Sequence, residues 1–319
     1  MLTGASETGR RGGVRHLVTT DGLTREDVFR WMRLAQTLRT LPRGVLAQRL
    51  AGRVIATLFY EPSTRTRLSF ESAALKLGAH VVGAENAVEN SSAKKGETLA
   101  DVFRIVGAYA DAIVVRHHEP YTMVEAASVA PVPIINAGAG WGEHPTQAML
   151  DVYTIWRELG RVEGLHVAVM GDLKYGRTVH SLLNVLRLFP GIRVTLLHPP
   201  SLGLPETMAQ RLKAEGLQLQ EGGPLADVLP RVDVLYQTRI QRERLTSQDE
   251  LDGASQYRIG PVELALLPAH ARILHPLPRV DEIDPAVDDD PRAAYFRQAE
   301  NGLYMRMAIL DDLLGGDGR

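Results

Sequence analysis

Short apolar runs rich in β-branched residues alternate with helical patterns along most of the chain, and this alternation limits the fold more than any other feature. Val54-Ile55-Ala56-Thr57-Leu58-Phe59-Tyr60 is short, carries no charge and reads as a buried strand. Behind it Leu68, Ala73, Ala74 and Leu77 recur at helical spacing, and Gly78 is placed to end the helix. The pattern repeats: a strand at 80–82, a helix over about 98–109, a strand at 112–115 ending on Arg116-His117-His118, a short Ala-rich helix, and a strand at 132–136. Upstream, Thr24 is positioned to cap a helix that carries Val28, Trp31, Met32, Ala35 and Leu38 on one face. A helix over about 145–159, stopped by Gly160, reads as a bridge into a second series. That series has strands at 167–170, 193–197, 232–236 and 271–274, with helices at 177–189 and 205–215. A long amphipathic helix over about 292–314 closes the chain.

Strands separated by helices cannot pair as hairpins and form parallel sheets. At 319 residues the chain is also long for one core. The expected fold is therefore α/β: two open parallel-sheet, Rossmann-like domains with the active site in the cleft between them. The expected boundaries are a tail at 1–15, a first domain at 16–147 completed by the returning C-terminal helix 292–315, and a second domain at 148–291.

Composition removes several functions. With 45% hydrophobic and 23% charged residues the chain is globular, and no apolar run approaches the roughly 18 residues that span a bilayer. The N-terminus shows no signal-peptide pattern. A net charge of −2 gives no bulk reason to bind nucleic acid or an anionic membrane. The lack of cysteine rules out disulfides, a thiol nucleophile and thiolate metal sites, and fits a cytoplasmic location.

In open α/β sheets ligands bind beyond the carboxyl ends of the strands. The polar clusters fall there: Ser63-Thr64-Arg65-Thr66-Arg67, Arg116, His144, 172–177, 238–241 and His275-Pro276-Leu277-Pro278. The first sits where a strand turns into a helix, whose unpaired N–H groups and positive end attract an anion; hydroxyls and guanidinium forks extend that seat. Arg65, Lys95, Arg116, Arg177 and Arg239 make the set strongly cationic, so its ligands carry several negative charges. No acidic cluster has metal-site spacing, and neither metal nor cofactor is expected. Each feature has a plainer reading: an N-cap hydroxyl with solvated arginines, a histidine capping a helix at 144, a solvated Lys94-Lys95 loop. Gly171-x-x-x-x-Gly176-Arg177-Thr178 resembles a P-loop but has arginine where that loop needs lysine. No Gly-x-Gly-x-x-Gly follows either opening strand.

Together these segments resemble the aspartate/ornithine carbamoyltransferase family, and within it the aspartate-specific catalytic chains, over about residues 16–314. The carriers, in family order, are residues 59–67 (Phe-Tyr-Glu-Pro-Ser-Thr-Arg-Thr-Arg), 91–97 (Ser-Ser-Ala-Lys-Lys-Gly-Glu), Val115-Arg116-His117, His144-Pro145-Thr146-Gln147, 171–178, 238–244 and 275–279. The ornithine branch resembles His-Cys-Leu-Pro where this chain has His275-Pro276-Leu277-Pro278, and Arg177 and Arg239 would repel a cationic substrate.

The resemblance implies transfer of the carbamoyl group of carbamoyl phosphate to L-aspartate, an early step of pyrimidine synthesis. It assigns carbamoyl phosphate to the first domain and aspartate to the second. Ser63, Thr64, Arg65, Thr66 and Arg116 would hold the phosphate. Thr66, Arg116 and His144 would face the carbonyl oxygen, and Gln147 with the Pro276 and Leu277 carbonyls would hold the carbamoyl amide. Arg177, Arg239 and Gln241 would grip the aspartate carboxylates. Ser91 and Lys95 are expected to reach in from a neighbouring subunit of a homotrimer, which in turn could carry regulatory chains or another pyrimidine-pathway enzyme. A non-catalytic relative would show a lesion in one of these roles, and none is present. Glu143, just before His144, adds a negative charge near an anionic site, which could weaken substrate binding or tune the histidine; its effect is left open by the sequence.

Overall fold

The structure, a computed structural model, describes residues 14–85, 97–119, 121–140, 142–240 and 256–315. The chain divides into two compact units, Met1–Met149 with Gly302–Arg319, and Leu150–Asn301. Both divisions fall inside helices, Pro145–Leu159 and Tyr295–Leu314.

The first unit holds a four-stranded parallel sheet in the order β2-β1-β3-β4, made of β1 (Val54–Phe59), β2 (His80–Glu85), β3 (Ala112–His117) and β4 (Ile134–Ala139). From β1 the chain goes to one side to build β2, then crosses back to build β3 on the other side. The topological switch point therefore lies between β1 and β3. The helix Thr64–Lys76 follows β1 and buries Phe70, Ala73 and Ala74. A buried phenylalanine of this kind contributes about 1.5–3 kcal/mol. Gly78 ends the helix at φ +87°, and a Cβ there would lie 1.9 Å from the Ala47 carbonyl oxygen. Thr24 caps the helix Arg25–Thr40 in a reciprocal capping box with Asp27, and the five apolar residues of its expected face are all buried. Residues 302–314 of the final helix return to this unit. Asp311 takes Arg49, Asp312 takes Arg30 and the Trp31 indole N–H, and the buried Arg306 lies over the Phe70 ring.

The second unit holds a five-stranded parallel sheet in the order β7-β6-β5-β8-β9. Its strands are β5 (His166–Met170), β6 (Arg193–Leu197), β7 (Gln218–Glu221), β8 (Val234–Gln237) and β9 (Arg272–Leu274). Here the switch point lies between β5 and β8. Its core gathers Ala168, Met170, Leu235, Ile273, Ile283, Val287 and Tyr295.

Local departures have physical causes. β7 is an addition: its Gln-Leu-Gln-Glu sequence is mostly exposed at a sheet edge and offers no apolar pattern. The final helix begins at Tyr295, not near 292, and the Arg292 guanidinium ahead of it bonds the Leu264 and Leu267 carbonyls and Asp290. Arg15, grouped with the tail by composition, pairs with Asp312 at 3.0 Å. Leu17 bridges Ile135, extending the sheet along β4. No helix of the described residues is long and apolar enough to cross a membrane.

Candidate active site

At the first switch point, Tyr60-Glu61-Pro62 carries the chain from β1 to Ser63, the N-cap of the helix Thr64–Lys76. The Ser63 side chain makes no capping hydrogen bond, so its hydroxyl is not spent on the helix. The first backbone bond of the helix is Arg67 N–H to the Ser63 carbonyl. The N–H groups of Thr64, Arg65 and Thr66 therefore precede the intrahelical ladder, as in any first turn. Thr66 is buried, whereas Thr64 and Arg65 open to solvent. Among the described residues no hydrogen bond or ion pair engages the Arg65 guanidinium, and partial desolvation lowers its pKa with no carboxylate opposing. A cation left in this state gains most from an arriving anion. Arg67 differs: it is tied to Glu71 at 3.0 Å, and Glu71 also accepts from Thr57.

Arg116 stands at the end of β3, across from Phe59 on β1. One guanidinium nitrogen lies 3.3 Å from Glu61 and another donates to the Ala137 carbonyl at 3.4 Å. Its neighbour His117 is buried, with Nδ1 accepting from the Glu119 N–H and the Thr122 hydroxyl. Burial, helped by His118, pulls the His117 pKa down to about 4, so the ring is neutral and Arg116 keeps the local positive charge.

After β4 the chain folds into a closed loop. Asn136 accepts from the Gly138 N–H, Gly140 N–H reaches the His117 carbonyl, and Ala139 N–H reaches the Glu143 carbonyl. The loop delivers His144 to the start of the helix Pro145–Leu159, where it is buried beside Thr146. The histidine's backbone carbonyl, accepting from Gln147 and Ala148, does the helix-starting work. Gln147 is buried on the first turn. Glu143 is held by the N-terminal segment. Its carboxylate is taken by the Thr19 and Thr20 hydroxyls and by the Thr20 N–H at 2.7 Å, tying the loop to the N-terminal segment. Burial, only partly offset by these bonds, raises its pKa.

The second unit is laced at its own switch point. Gly171 follows β5 at φ +124°, and a Cβ there would fall 2.4 Å from the Thr238 carbonyl oxygen. Asp172, buried, accepts from the Lys174 and Tyr175 N–H groups, while its own N–H donates to the Thr238 hydroxyl. These bonds couple the end of β5 to the end of β8. They set Arg177 at the first position of the helix Arg177–Leu186 and Arg239 two residues beyond β8, both half-buried. Beyond β9, Pro276 and Leu277 are half-buried, and Leu277 adopts φ +53°. Ser91, Lys95, Trp141 and Gln241 lie outside the described residues. Sequence reasoning assigned no role to Glu61, Asp172 or Thr238; strand-end placement was the signal available for them.

The chain is an α/β protein of two parallel-sheet units, each placing arginines and a helix start at its switch point, an arrangement whose charge suits small anions. The chain belongs to the aspartate/ornithine carbamoyltransferase family. Residues 15–157 match the family's carbamoyl-P binding domain and residues 163–313 its Asp/Orn binding domain. The chain is 50% identical over 269 residues to a chloroplastic aspartate carbamoyltransferase of Oryza sativa subsp. japonica, covering 84% of this chain and 74% of the relative. It is similar to the catalytic subunit of M. jannaschii aspartate transcarbamoylase, with TM-score 0.89 and 42% identity over 95% of this chain and 98% of the other. It is also similar to Trypanosoma cruzi aspartate transcarbamoylase in complex with N-(phosphonacetyl)-L-aspartic acid, with TM-score 0.88 and 42% identity over 94% and 95% of the two chains. The rice relative and others from Pisum sativum and Arabidopsis thaliana are chloroplastic. They overturn the cytoplasmic location expected from composition: a cysteine-free chain does not fix a compartment.

Proposed function

We propose that this chain is a carbamoyltransferase that moves the carbamoyl group of carbamoyl phosphate onto the amine of L-aspartate, giving N-carbamoyl-L-aspartate and phosphate for pyrimidine synthesis. The observation that carries this reading is that each unit places cations at its strand ends, Arg65 and Arg116 in the first and Arg177 and Arg239 in the second. A phosphate and two carboxylates bring about four negative charges, which suits those cations together with Lys95.

In this reading Ser63, Thr64, Arg65 and Thr66 receive the phosphate, with Arg116 exchanging its Glu61 contact for a phosphate oxygen. The aspartate amine attacks the carbamoyl carbon. Negative charge then builds on the carbonyl oxygen, where Thr66, Arg116 and His144 donate. The C–O bond to phosphate breaks, and the departing phosphate accepts the amine proton. Gln147 and the Pro276 and Leu277 carbonyls orient the carbamoyl amide; Arg177, Arg239 and Gln241 hold the aspartate carboxylates. Positioning supplies much of the acceleration, and no covalent intermediate is needed. Ser91 and Lys95 complete the site from a neighbouring chain of a homotrimer, on which regulatory chains or another pathway enzyme can dock.

Ornithine is disfavoured because its side-chain ammonium would meet Arg177 and Arg239. The test is product analysis with carbamoyl phosphate and either L-aspartate or L-ornithine. N-carbamoyl-L-aspartate formed selectively supports the reading, and citrulline contradicts it. Light scattering checks the trimer, and restored turnover on mixing inactive Lys95→Ala and Arg65→Ala chains checks the shared site.

A further inference from the structure

The loop after β9 is held by a buried polar chain that the transfer reaction does not itself use. His275 Nδ1 accepts the Leu277 N–H at 2.8 Å, so the proton of the neutral ring sits on Nε2. That Nε2 is 2.7 Å from Glu282 Oε1. The other oxygen of Glu282 accepts from the Val280 and Asp281 N–H groups at 3.0 and 3.1 Å. Burial opposes the charge on Glu282, but the hydrogen bonds from His275 and the backbone prevail and its pKa is lowered. The chain continues inward. The His275 N–H donates to Gln298 Oε1 at 2.8 Å, and Gln298 Nε2 donates to Asp151 Oδ1 at 2.6 Å. The second Asp151 oxygen accepts the Tyr236 hydroxyl at 2.7 Å. Asp151 and Tyr236 are completely buried, and His275 and Gln298 nearly so.

Such a chain is costly unless every member is satisfied, and its members here are matched donor to acceptor. Its outer end closes on Leu277, whose φ of +53° lies in the left-handed region that disfavours any residue with a Cβ. The His275 ring holds that N–H and with it the peptide plane that carries the Pro276 carbonyl.

We propose that His275 and Glu282 are positioning residues that aim the Pro276 and Leu277 carbonyls at the carbamoyl NH2 group, braced through Gln298 against buried Asp151. This rests on the carbamoyl-transfer reading. It adds specificity: two carbonyl acceptors select an amide over a carboxylate of the same shape.

The test uses phosphonoacetamide, which keeps the NH2, and phosphonoacetate, which replaces it with an acceptor-only oxygen. Calorimetric titration of the full-length wild-type protein is expected to favour the amide. In His275→Asn the donor to Glu282 is lost. In Glu282→Gln an NH2 group must face either His275 Nε2–H or the Val280 and Asp281 N–H groups. Each variant is expected to lose about tenfold of the amide preference while phosphonoacetate affinity stays within about twofold. The KM for L-aspartate is expected to hold. An unchanged preference, or an equal loss for both ligands, would overturn the proposal, the second result indicating general loosening. If His275→Asn does not fold, Glu282→Gln decides the matter alone. Failure of the wild type to bind phosphonoacetamide or to form N-carbamoyl-L-aspartate would instead overturn the functional reading beneath it.

Discussion

In the function proposed above, the two units solve the same problem, a strand-end seat for an anion, by different means. In the first, the seat is local: a strand, a three-residue turn and a helix start place Ser63, Thr64, Arg65 and Thr66 within one stretch of chain. In the second, Arg177 and Arg239 are separated in sequence, and their placement depends on Asp172, Gly171 and Thr238 lacing two strand ends together. A local seat tolerates distant change but fails when one of its own residues is removed. A laced seat can be damaged through residues that touch no ligand.

The largest effect is expected from Arg65→Ala. Its guanidinium has no described partner to leave stranded, so the fold should survive while kcat/KM for carbamoyl phosphate falls by about 10²–10³-fold. Steady-state kinetics beside a thermal melt would show both. Asp172→Ala comes next and sharpens the contrast. The Lys174 and Tyr175 N–H groups lose the carboxylate oxygen they share, and KM for L-aspartate should rise about tenfold with KM for carbamoyl phosphate little changed. Equal losses in both constants would break the distinction between the units. Arg306→Met, which removes the buried cation over Phe70, should cost about 2 kcal/mol of first-unit stability by denaturant titration, with a smaller effect on turnover.

Glu143 gives a pH test. Its folded pKa is raised, so the folded state holds the proton more tightly than the unfolded chain. Stability from this group is complete below the ordinary carboxylate range and is lost as pH rises through the raised value. Glu143→Gln should therefore flatten the fall of the melting temperature on that weakly acidic flank, read as the difference between variant and wild type. The smallest effect belongs to Arg104→Ala, whose pair with Asp101 is exposed at both ends; about 0.5 kcal/mol or less and unchanged kinetics are expected.

The same contrast explains what the sequence revealed. Local features were legible: the capping box at Thr24, the helix stop at Gly78, the Ser63–Arg67 turn and the helix Pro145–Leu159 each rest on neighbours in the chain. β7 was not, because an exposed edge strand has no apolar face to announce it. Nor was the chain from Glu282 to Asp151, whose Gln298–Asp151 contact joins residues 147 apart. The partners of Glu143 were hidden for a related reason: Thr19 and Thr20 arrive from the far end of the unit's sequence.

In the proposed function the units divide the substrates, phosphate to the first and aspartate carboxylates to the second. Calorimetric titration of phosphonoacetamide into Arg65→Ala and Arg239→Ala proteins tests it most directly. Binding is expected to be lost in Arg65→Ala and retained in Arg239→Ala. Loss in Arg239→Ala with retention in Arg65→Ala would contradict it.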